Sequence, residues 1–568
     1  MKTPRELLSE RFKTAIRSAL DLEADPLVMP AQNPEFGDYQ SNAAMGLAKK
    51  ARLSPRAVAE KILSKLDLSG IAEGASIAGP GFINVRLSPS WLAEQLKTLH
   101  GDERLGVEKA SSPQRVVIDY SGPNVAKQMH VGHLRSSIIG DALARLIAFQ
   151  GHSVIRQNHI GDWGTQFGML IAYLRSSQPS AAEHISDLEA FYRNAKKRFD
   201  EDPAFAEESR ATVVRLQAGG AEELSLWKKI VEETRRHYLP LYARMNVLLR
   251  AEDERGESFY NPLLPGVVET LKQKGVAVES EGAVAVFIDG YETPLLVRKS
   301  DGGYLYGTTD LAALRFRVSE LKAQRLIYTH DSRQSQHFSM VFAAAKKAGW
   351  AENTLLEYAP FGTMLGTDGK PFKTRSGDTV KLKDLLDEAE ERASKLVEQK
   401  NPDLPLAERR AIARAVGIGA VKYSDLSKDR TGDYMFSWDL MLSMDGNTAP
   451  YLQYAHTRIR SIFRKAGLEP SSLAGGAPTL ETPQESALAK HLLRLGETIE
   501  DCAQTLRPHL LCAYLYELAA RFSRFYEACP VLQSPEPQRS SRLLLCDLTA
   551  RTLALGLDLL GIEHPEKM

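Results

Sequence analysis

Two histidines one helical turn apart, His130 and His133, are the residues whose type and spacing point most directly to chemistry. They enclose Val131 and Gly132 in the segment H-V-G-H, which follows a Pro-Asn loop. A helix that begins here would direct backbone N–H groups toward a phosphate, and the glycine would let an adenine approach the backbone closely. Two imidazoles on one face can donate to the charge that develops on an α-phosphate. The segment therefore predicts a nucleotide site.

The spacing H-x-x-H is also compatible with two other roles. Histidines at positions i and i+3 can form half of a metal site, and a histidine on a helix is often purely structural. No third metal ligand stands at a suitable spacing, so we expect no structural metal. The sequence contains neither G-x-G-x-x-G nor a Walker motif, which argues against the common dinucleotide and P-loop sites.

The elements around this segment have the order strand, loop, helix, strand. RVVIDY (residues 115–120) is β-branched and predicts a buried strand. From His133 to Phe149 the apolar residues recur at helical spacing, and Gly151 is a plausible residue to end the helix. SVIRQ (residues 153–157) predicts the next strand. In such a βαβ unit the first loop lies at the carboxyl end of its strand, where open α/β sheets bind ligands.

The segment resembles the "HIGH" motif of the class I aminoacyl-tRNA synthetases. Within that class, GPNVAKQMHVGHLRSSIIGDALARL followed by NHIGDWGTQFGMLIAYL is similar to the arginyl-tRNA synthetases. Further segments follow in that family's order over essentially the whole chain: FGDYQSN, GYLYGTTDLAALRFR, DSRQSQHF, GKPFKTRSGDTVKLKDLLDEA, AVKYSDL and NTAPYLQYAHTR. The resemblance implies that arginine is activated with ATP to an adenylate and transferred to tRNA, with activation requiring bound tRNA.

The resemblance also implies an ATP site with Mg²⁺ as part of the substrate complex. The loop that matches the family's "KMSKS" motif reads Phe-Lys-Thr-Arg-Ser here and departs from the class pattern. Which cation meets the β- and γ-phosphates is thereby open, and Lys127 is a candidate beside the loop residues Lys373 and Arg375. A solvated loop lysine is the alternative for Lys127. The expected ATP-binding residues are His130, Val131, Gly132, His133, Lys373, Thr374, Arg375 and Ser376.

A pocket selective for arginine needs carboxylates and planar acceptors, because a guanidinium is planar, charged and forked. Tyr306 and Asp310 lie four residues apart at the start of a helix and so share one face. By resemblance they read the guanidinium together with Gln334, while Asp119 offers a second negative charge. The residues expected to hold the arginine backbone are Gly122, Pro123, Asn124 and His133. The alternatives are a helix-capping role for Asp310 and a packing role for Tyr306.

Contacts with tRNA are expected at both ends of the chain. In the N-terminal segment, Phe36, Tyr39 and Gln40 offer stacking and amide groups suited to an unpaired base of the tRNA elbow. In the C-terminal segment the resemblance places Tyr451, Tyr454 and Met568 at the anticodon. The tyrosines are one turn apart on a helix opened by Pro450; core packing is the alternative. A basic helix face with Arg409, Arg410 and Arg414 either follows a tRNA stem or is an ordinary solvated surface.

These observations predict a multidomain α/β protein. Its fold class is a Rossmann-type parallel-sheet catalytic domain with an insertion, between an N-terminal α+β module and a C-terminal all-α helical bundle. The predicted domains are a tRNA-elbow-binding module over residues 1–105, the catalytic domain over 106–380 with its insertion at about 177–255, a helical stem-contact region over 381–447 and an anticodon-binding domain over 448–568.

Composition limits the remaining function classes. Lys and Arg number 72 and so do Asp and Glu, so the net charge is zero; a generic nucleic-acid binder is usually basic, but folded RNA can be recognised by shape and stacking. Four cysteines without C-x-x-C spacing predict free thiols. No apolar run of about 18 residues and no secretory h-region occurs, and we expect a cytoplasmic monomer.

Three alternatives to the family assignment stay open at this point. A small-molecule adenylyltransferase of the same superfamily would share the H-x-G-H chemistry without an RNA partner, although it would need neither terminal module. A non-catalytic RNA-binding paralogue would tend to lose His130, His133, Asp310 or Gln334, all of which are present. A metallohydrolase built on H-x-x-H would need a third ligand, and zinc analysis would identify it.

Overall fold

The N-terminal module is a four-stranded antiparallel sheet with helices packed against it. The computed structural model describes residues 1–568 except 32, 34, 177–186, 374–379 and 474–475. The module's elements are α1 (Pro4–Leu20), β1 (Val28–Pro30), β2 (Tyr39–Ser41), α2 (Ala43–Ala51), α3 (Pro55–Leu63), β3 (Ala72–Ala78), β4 (Phe82–Leu87) and α4 (Pro89–His100). The strand order is β1-β2-β4-β3. Thr3 and Glu6 form a capping box at α1, which satisfies N–H groups that the first turn leaves free.

The predicted βαβ unit follows. It consists of β5 (Arg115–Asp119), α5 (Val131–Phe149) and β6 (Ser153–Gln157), and β5 pairs with β6 in parallel. Val116, Val117 and Ile118 are fully buried, as the β-branched run predicts for a central parallel strand. Gly151, just past the helix, has φ +90°, a conformation that glycine adopts without strain.

A helical insertion separates β6 from the remaining strands. Its elements are α6 (Gln166–Ser176), α7 (Leu188–Glu201), α8 (Pro203–Gln217) and α9 (Ala221–Arg244), followed by the short α10 (Glu257–Tyr260) and α11 (Leu264–Gln273). Phe167, Leu170 and Ile171 of α6 are buried in a small core shared with Phe191 and Phe205. The insertion thus has an apolar core of its own beside the sheet.

The chain then returns to the parallel sheet. The next elements are β7 (Val278–Ser280), β8 (Ala283–Val286), β9 (Leu295–Arg298), α12 (Tyr306–Ser319), β10 (Arg325–Tyr328), α13 (Ser335–Lys347) and β11 (Leu355–Tyr358). Strands β7, β8 and β9 form an antiparallel sheet, whereas the parallel sheet has the order β11-β10-β5-β6. Chain order reverses between β5 and β10, and the crevice at such a switch point is the usual ligand site of an open α/β sheet.

The C-terminal part is almost entirely helical. It contains β12 (Met364–Leu365), α14 (Leu382–Lys400), α15 (Leu406–Leu426), β13 (Tyr434–Met435), α16 (Trp438–Met441), α17 (Ala449–Ala466), α18 (Pro483–Leu492), α19 (Leu495–Thr505), α20 (His509–Ala528) and α21 (Gln538–Leu559). Helix α17 begins one residue before Pro450, with Thr448 as its N-cap. The four cysteines are buried free thiols, as predicted. These features confirm the predicted fold class.

The N-terminal module packs against the C-terminal bundle. Tyr39 is 2% exposed and its hydroxyl donates to Glu497 Oε1 at 2.8 Å, while Lys490 Nζ lies 2.8 Å from Asp38 Oδ1. In this structure the ring of Tyr39 is covered by the interface, so an RNA contact of Tyr39 stays a prediction that would require this interface to open. Along the described ranges, no helix is both long and apolar enough to cross a membrane.

Candidate functional site

The candidate site lies at the carboxyl ends of β5, β6 and β10. As the chain leaves β5, Ser121 and Gly122 adopt φ values of +76° and +61°, which turn the backbone sharply away from the sheet. Ser121 N donates to Ser136 Oγ at 2.8 Å, and Gly122 N donates to Asn158 Oδ1 at 3.0 Å. Side chains from α5 and from the end of β6 therefore hold the turn that precedes the Pro-Asn loop.

The Pro-Asn loop is fastened to the segment that follows β6. Val125 N donates to Gly161 O at 3.0 Å, and Gly161 N donates to Pro123 O at 3.1 Å. A Cβ atom on Gly161 would lie 2.4 Å from Asn124 Oδ1, so a larger residue here would displace the Asn124 side chain. The arrangement leaves Asn124 exposed while Pro123 is buried.

Both motif histidines are held at the first turn of α5. His130 is the N-cap, and its Nδ1 accepts from Gly132 N at 3.0 Å. His130 N in turn donates to His133 Nδ1 at 3.2 Å, and the two ring centroids are 4.1 Å apart. A Cβ atom on Gly132 would lie 2.7 Å from His130 Cε1, so the glycine lets the imidazole fold over the backbone.

These hydrogen bonds determine the tautomer of both rings. Burial lowers the pKa of His133 to about 3, and the neighbouring His130 contributes to that shift. Burial and the charge of Lys127 also lower the pKa of His130, so both rings are neutral near pH 7. Since Nδ1 of each ring accepts a backbone N–H, each neutral ring carries its proton on Nε2. Both histidines thus present an N–H donor.

A buried ion pair anchors the helix that carries these donors. Arg135 Nε lies 2.9 Å from Asp425 Oδ2, and both side chains are almost fully buried. Arg135 Nη1 also donates to Gly432 O at 3.2 Å. Helix α5 is thereby fixed to α15 and to the loop before β13.

The loop predicted to clamp phosphate returns to the motif histidines. Val131 N donates to Val380 O at 3.0 Å, and Leu382 N donates to Met129 O at 2.9 Å. The end of the loop thus pairs with the start of α5. Lys373 is exposed at the beginning of the loop. The predicted ATP-binding residues Thr374, Arg375 and Ser376 lie outside the described residues.

Lys127 is exposed on the loop between β5 and α5. Its Nζ lies 4.9 Å from the centre of the Tyr192 ring on α7, a cation–π distance. The amine therefore rests against the helical insertion and keeps its charge near His130, whose pKa it lowers.

The predicted guanidinium residues converge on α12 and α13. Asp310 Oδ2 lies 2.6 Å from His337 Nε2, and the ring centroids of Tyr306 and His337 are 4.8 Å apart. Tyr306 is 66% exposed, so its ring is accessible to a ligand. Gln334 is exposed one residue before α13, one turn from His337. The tertiary contact of His337 with both α12 residues was not foreseeable from local pattern.

A second carboxylate of this region, Glu257, was missed in the sequence. Burial raises the pKa of Glu257 to about 7, and the carboxylates of Asp162 and Asp310 contribute. Asp162 already accepts from Ser258 N at 2.9 Å and Ser258 Oγ at 2.6 Å. Among the described residues, no cationic side chain contributes to the pKa of Glu257. This half-buried carboxylate, which interacts electrostatically with Asp310, therefore favours a cationic ligand. The sequence signal that could have found Glu257 is an acidic residue directly after Gly256, at the start of α10.

Asp119, predicted as a second negative charge for the substrate, lies in a buried ion pair. Its Oδ2 lies 2.7 Å from Arg317 Nη1, and both side chains are buried. Burial alone would raise the pKa of Asp119, but Arg317 and His330 outweigh it and hold that pKa well below its usual range. The charge of Asp119 is thus paired with Arg317 inside the protein, and its predicted role as a second negative charge for the substrate stays a prediction.

We expect Arg317→Ala to lower the free energy of unfolding by about 3–5 kcal/mol, because Asp119 would remain buried without its partner. Urea denaturation followed by tryptophan fluorescence measures the change. The double variant Arg317→Leu/Asp119→Leu is the matched control and should recover most of the loss, since it removes both charges. A single variant as stable as the wild type would show that Asp119 is satisfied by another group.

The surfaces expected to contact RNA differ in accessibility. Phe36 is 55% exposed and Tyr454 43% exposed. In the C-terminal bundle, Tyr451 is half-buried, with its ring centroid 5.8 Å from that of Tyr516. In the N-terminal module, the side chain of Gln40 donates to Asn42 Oδ1. Met568 is partly buried against the α14–α15 core.

The basic face of α15 is partly neutralised. Arg409 Nη1 lies 3.0 Å from Glu398 Oε1, and Arg414 Nη2 lies 3.3 Å from Glu563 Oε1. Arg410 is exposed. An uninterrupted basic face, as a long tRNA stem would require, is therefore not present over these three residues.

Three family models match consecutive parts of the chain. The model described as "tRNA synthetases class I (R), catalytic domain" matches residues 95–438. The model "Arginyl tRNA synthetase N terminal domain" matches residues 6–87, and "DALR anticodon binding domain" matches residues 452–568. The described site lies entirely within the first match.

Full-length relatives agree with the family models. The chain is 52% identical over 588 residues to an arginine–tRNA ligase of Synechococcus elongatus and 53% identical over 576 residues to one of Laribacter hongkongensis, each pair covered over 100% of both chains. Among solved structures, an arginyl-tRNA synthetase of Plasmodium falciparum matches with a TM-score of 0.89 and 32% identity over 100% of both chains. One of Thermus thermophilus matches with a TM-score of 0.84 and 29% identity over 99% of this chain and 100% of that chain.

Proposed function

Since the chain belongs to the arginyl-tRNA synthetases, we propose that it is an arginine–tRNA ligase that forms arginyl-adenylate from L-arginine and ATP and transfers the arginyl group to tRNA(Arg). The released products are diphosphate and AMP. The proposal rests on two observations: two imidazoles at the start of α5 whose Nδ1 atoms accept backbone N–H groups, and two carboxylates, Asp310 and Glu257, that interact electrostatically with each other. The full-length relatives support the same reaction. They give no support to the two alternatives, a small-molecule ligase or a non-catalytic paralogue.

The activation step needs positioning and charge stabilisation but no covalent enzyme intermediate. The carboxylate of arginine attacks the α-phosphate of ATP in line, and diphosphate leaves. His130 and His133 donate their Nε2–H groups to the oxygens of the pentacoordinate α-phosphate, where negative charge increases. Neutral donors suit this task because they stay protonated on Nε2 over the whole working pH range.

The remaining phosphate charge is neutralised by cations around the crevice. We assign this role to Lys127 and Lys373, and to Arg375 in the loop that the structure does not describe, with Mg²⁺ bound to ATP as part of the substrate complex. The pairing of residues 129–131 with 380–382 supports the assignment, because it ties the loop's end to the α-phosphate donors.

Arginine is recognised at its two ends. Gly122, Asn124 and His133 border the end at which the amino acid's carboxylate must meet ATP. Asp310 and Glu257 supply two negative charges for the guanidinium, with Tyr306 and Gln334 at the rim. Two carboxylates suit a forked cation better than a lysine ammonium, because a guanidinium can bind in a bidentate manner to planar acceptors.

The reaction is tested by arginine-dependent exchange of labelled diphosphate into ATP, with and without bulk tRNA. We expect exchange with arginine and tRNA together, and none with lysine or citrulline in place of arginine. Citrulline is the matched control, since it keeps the shape of arginine without the charge.

Two outcomes would change the proposal. Exchange with arginine alone would retain arginine activation but refute the requirement for tRNA. Exchange with another amino or carboxylic acid, and none with arginine, would refute the assigned pocket.

The two terminal modules supply the tRNA contacts of the proposed reaction. We assign residues 1–105 to the tRNA elbow, with Phe36 and Gln40 as contacts, and residues 448–568 to the anticodon, with Tyr451, Tyr454 and Met568. The region 381–447 lies between them, beside the catalytic domain of residues 106–380. By family resemblance we propose a cytoplasmic monomer.

We expect Tyr454→Ala to weaken aminoacylation of tRNA(Arg) about five- to a hundredfold in kcat/KM, because base–aromatic stacking contributes about 1–3 kcal/mol. Arginine activation at saturating tRNA should change little. The matched control is Tyr454→Phe, which keeps the stacking ring. Equal losses in aminoacylation and diphosphate exchange would mean that Tyr454 packs the bundle.

We expect the KM for arginine to rise about tenfold between pH 8 and pH 6. The pKa of Glu257 is raised to about 7, so this carboxylate is ionised at pH 8 and mostly protonated at pH 6, where it no longer attracts the guanidinium. Steady-state exchange across this range measures the effect. In Glu257→Gln the KM should be high and nearly independent of pH, and a pH dependence that persists in this variant would assign it to another group.

A further inference from the structure

Three possible metal ligands meet where the C-terminal segment crosses α17, far from the crevice. They are His456 on α17, and His564 and Glu566 on the segment, and one ligand atom from each lies within 4.8 Å of the others. We propose that these three side chains bind one divalent transition-metal ion, with Zn²⁺ as the preferred ion, which fastens the C-terminal segment to α17. The proposal is independent of the reaction proposed above.

His456 is the fully buried member of this cluster, and its ring lacks hydrogen-bond partners among the described residues. It is 0% exposed, and within the described part of the chain neither of its ring nitrogens makes a hydrogen bond of good geometry. Burying a polar ring without partners is costly. One ring nitrogen faces the carbonyl of Pro565, the kind of backbone acceptor that orients a metal-bound histidine. The other nitrogen is free to face the metal.

The donor set matches zinc chemistry. Two imidazoles and one carboxylate are the protein ligands of many tetrahedral Zn²⁺ sites, with a water or another group in the fourth position. Tetrahedral ligands at such bond lengths lie about 3.3 Å apart, so the three groups must close by about an ångström. Side-chain rotation of His564, which is partly exposed, and of Glu566, which is exposed, can supply this movement.

The present contacts of the two tail ligands are weak enough to be displaced. His564 Nε2 lies 3.3 Å from Asp558 Oδ1, and Glu566 Oε2 lies 3.6 Å from Arg460 Nε. Partly exposed pairs of this kind contribute little. Arg460 also lies 3.8 Å from Asp547, so it keeps a partner when Glu566 binds metal. The arginine's charge still opposes a cation, and we therefore expect micromolar affinity.

The metal would complete an existing set of tail contacts. Gln453 Nε2 donates to Glu563 O at 2.7 Å, Thr457 Oγ1 to Pro565 O at 2.9 Å and Arg464 Nη1 to Glu566 O at 3.0 Å. These donors lie on the same face of α17 as His456. The sequence predicts no such site, since His456 is remote along the chain from the two tail ligands and only the fold brings them together.

The test is calorimetric titration of the EDTA-dialysed full-length protein with ZnCl₂, with Co²⁺ absorption as a report of tetrahedral coordination. We expect one equivalent to bind. His564→Gln and Glu566→Gln should each weaken binding at least about tenfold; Glu566 is exposed and His564 partly exposed, so neither change leaves a fully buried cavity. Glu563→Gln is the matched control on the same segment and should keep the wild-type affinity. Zinc should also raise the Tm of the wild type but not of His564→Gln.

His133→Asn tests whether the zinc binds instead at the other histidine pair, His130 and His133. This variant should still bind one equivalent of Zn²⁺. The proposal is overturned if the wild type binds no zinc in the micromolar range or if His564→Gln binds zinc with wild-type affinity. It is also overturned if His133→Asn no longer binds one equivalent of Zn²⁺.

Discussion

Asp310→Ala is expected to reduce kcat/KM for arginine in diphosphate exchange by roughly thirty- to several-thousandfold, while ATP binding stays nearly intact. Removing one partner of a desolvated charge pair costs about 2–5 kcal/mol, and the guanidinium of bound arginine would be that partner. Asp310 also fixes His337 through the 2.6 Å contact, so alanine would loosen the pocket wall as well. Exchange kinetics over a range of arginine concentrations, with ATP binding measured separately, give both quantities.

Two further variants make this result specific. Asp289→Ala removes a fully exposed carboxylate and should leave kcat/KM unchanged, which controls for a general loss of negative charge. Asp310→Asn keeps a hydrogen-bond acceptor for His337 but not the charge. If Asp310→Asn were fully active, the pocket would depend on shape and hydrogen bonding, and the assignment of Asp310 as the charge that selects arginine would be overturned.

The parts of the site that were predictable from the sequence are those coded within one short segment. The β-branched run 115–120, the Pro-Asn loop and His130 at a helix start are consecutive, so local pattern was sufficient to predict the βαβ unit and the direction in which its first loop faces. Tyr306 and Asp310 were predictable as a pair for the same reason, because helical spacing alone puts them on one face.

The remaining features depend on tertiary contacts. Glu257 becomes significant only because the fold places it near Asp310 and Asp162, and no spacing in the sequence relates these three acids. Asp119 was considered for the substrate from its place at the end of β5. Its ion-pair partner, Arg317, lies on α12, beyond the insertion in the sequence, so no local pattern relates the two residues. Tyr39 belongs to a turn-rich segment that looks exposed, and only the docking of the terminal modules covers its ring.

His133→Ala is expected to lower kcat for exchange by about a hundred- to a thousandfold, the usual effect of removing one donor to a developing oxyanion. The KM values for arginine and ATP should change much less, since the donor acts mainly in the transition state. The alternative is that His133 matters only as a cap, because its Nδ1 accepts from His130 N at 3.2 Å.

Asparagine and glutamine separate these two roles of His133. An asparagine oxygen can replace Nδ1 and keep the cap, but its amide does not reach the position of Nε2, whereas a glutamine amide can approach that position. If donation to the α-phosphate is the function, His133→Asn should be as inactive as alanine and His133→Gln should recover part of kcat. Full activity in His133→Asn would instead assign the residue to the helix cap, and the donation to the transition state would then rest on His130 alone.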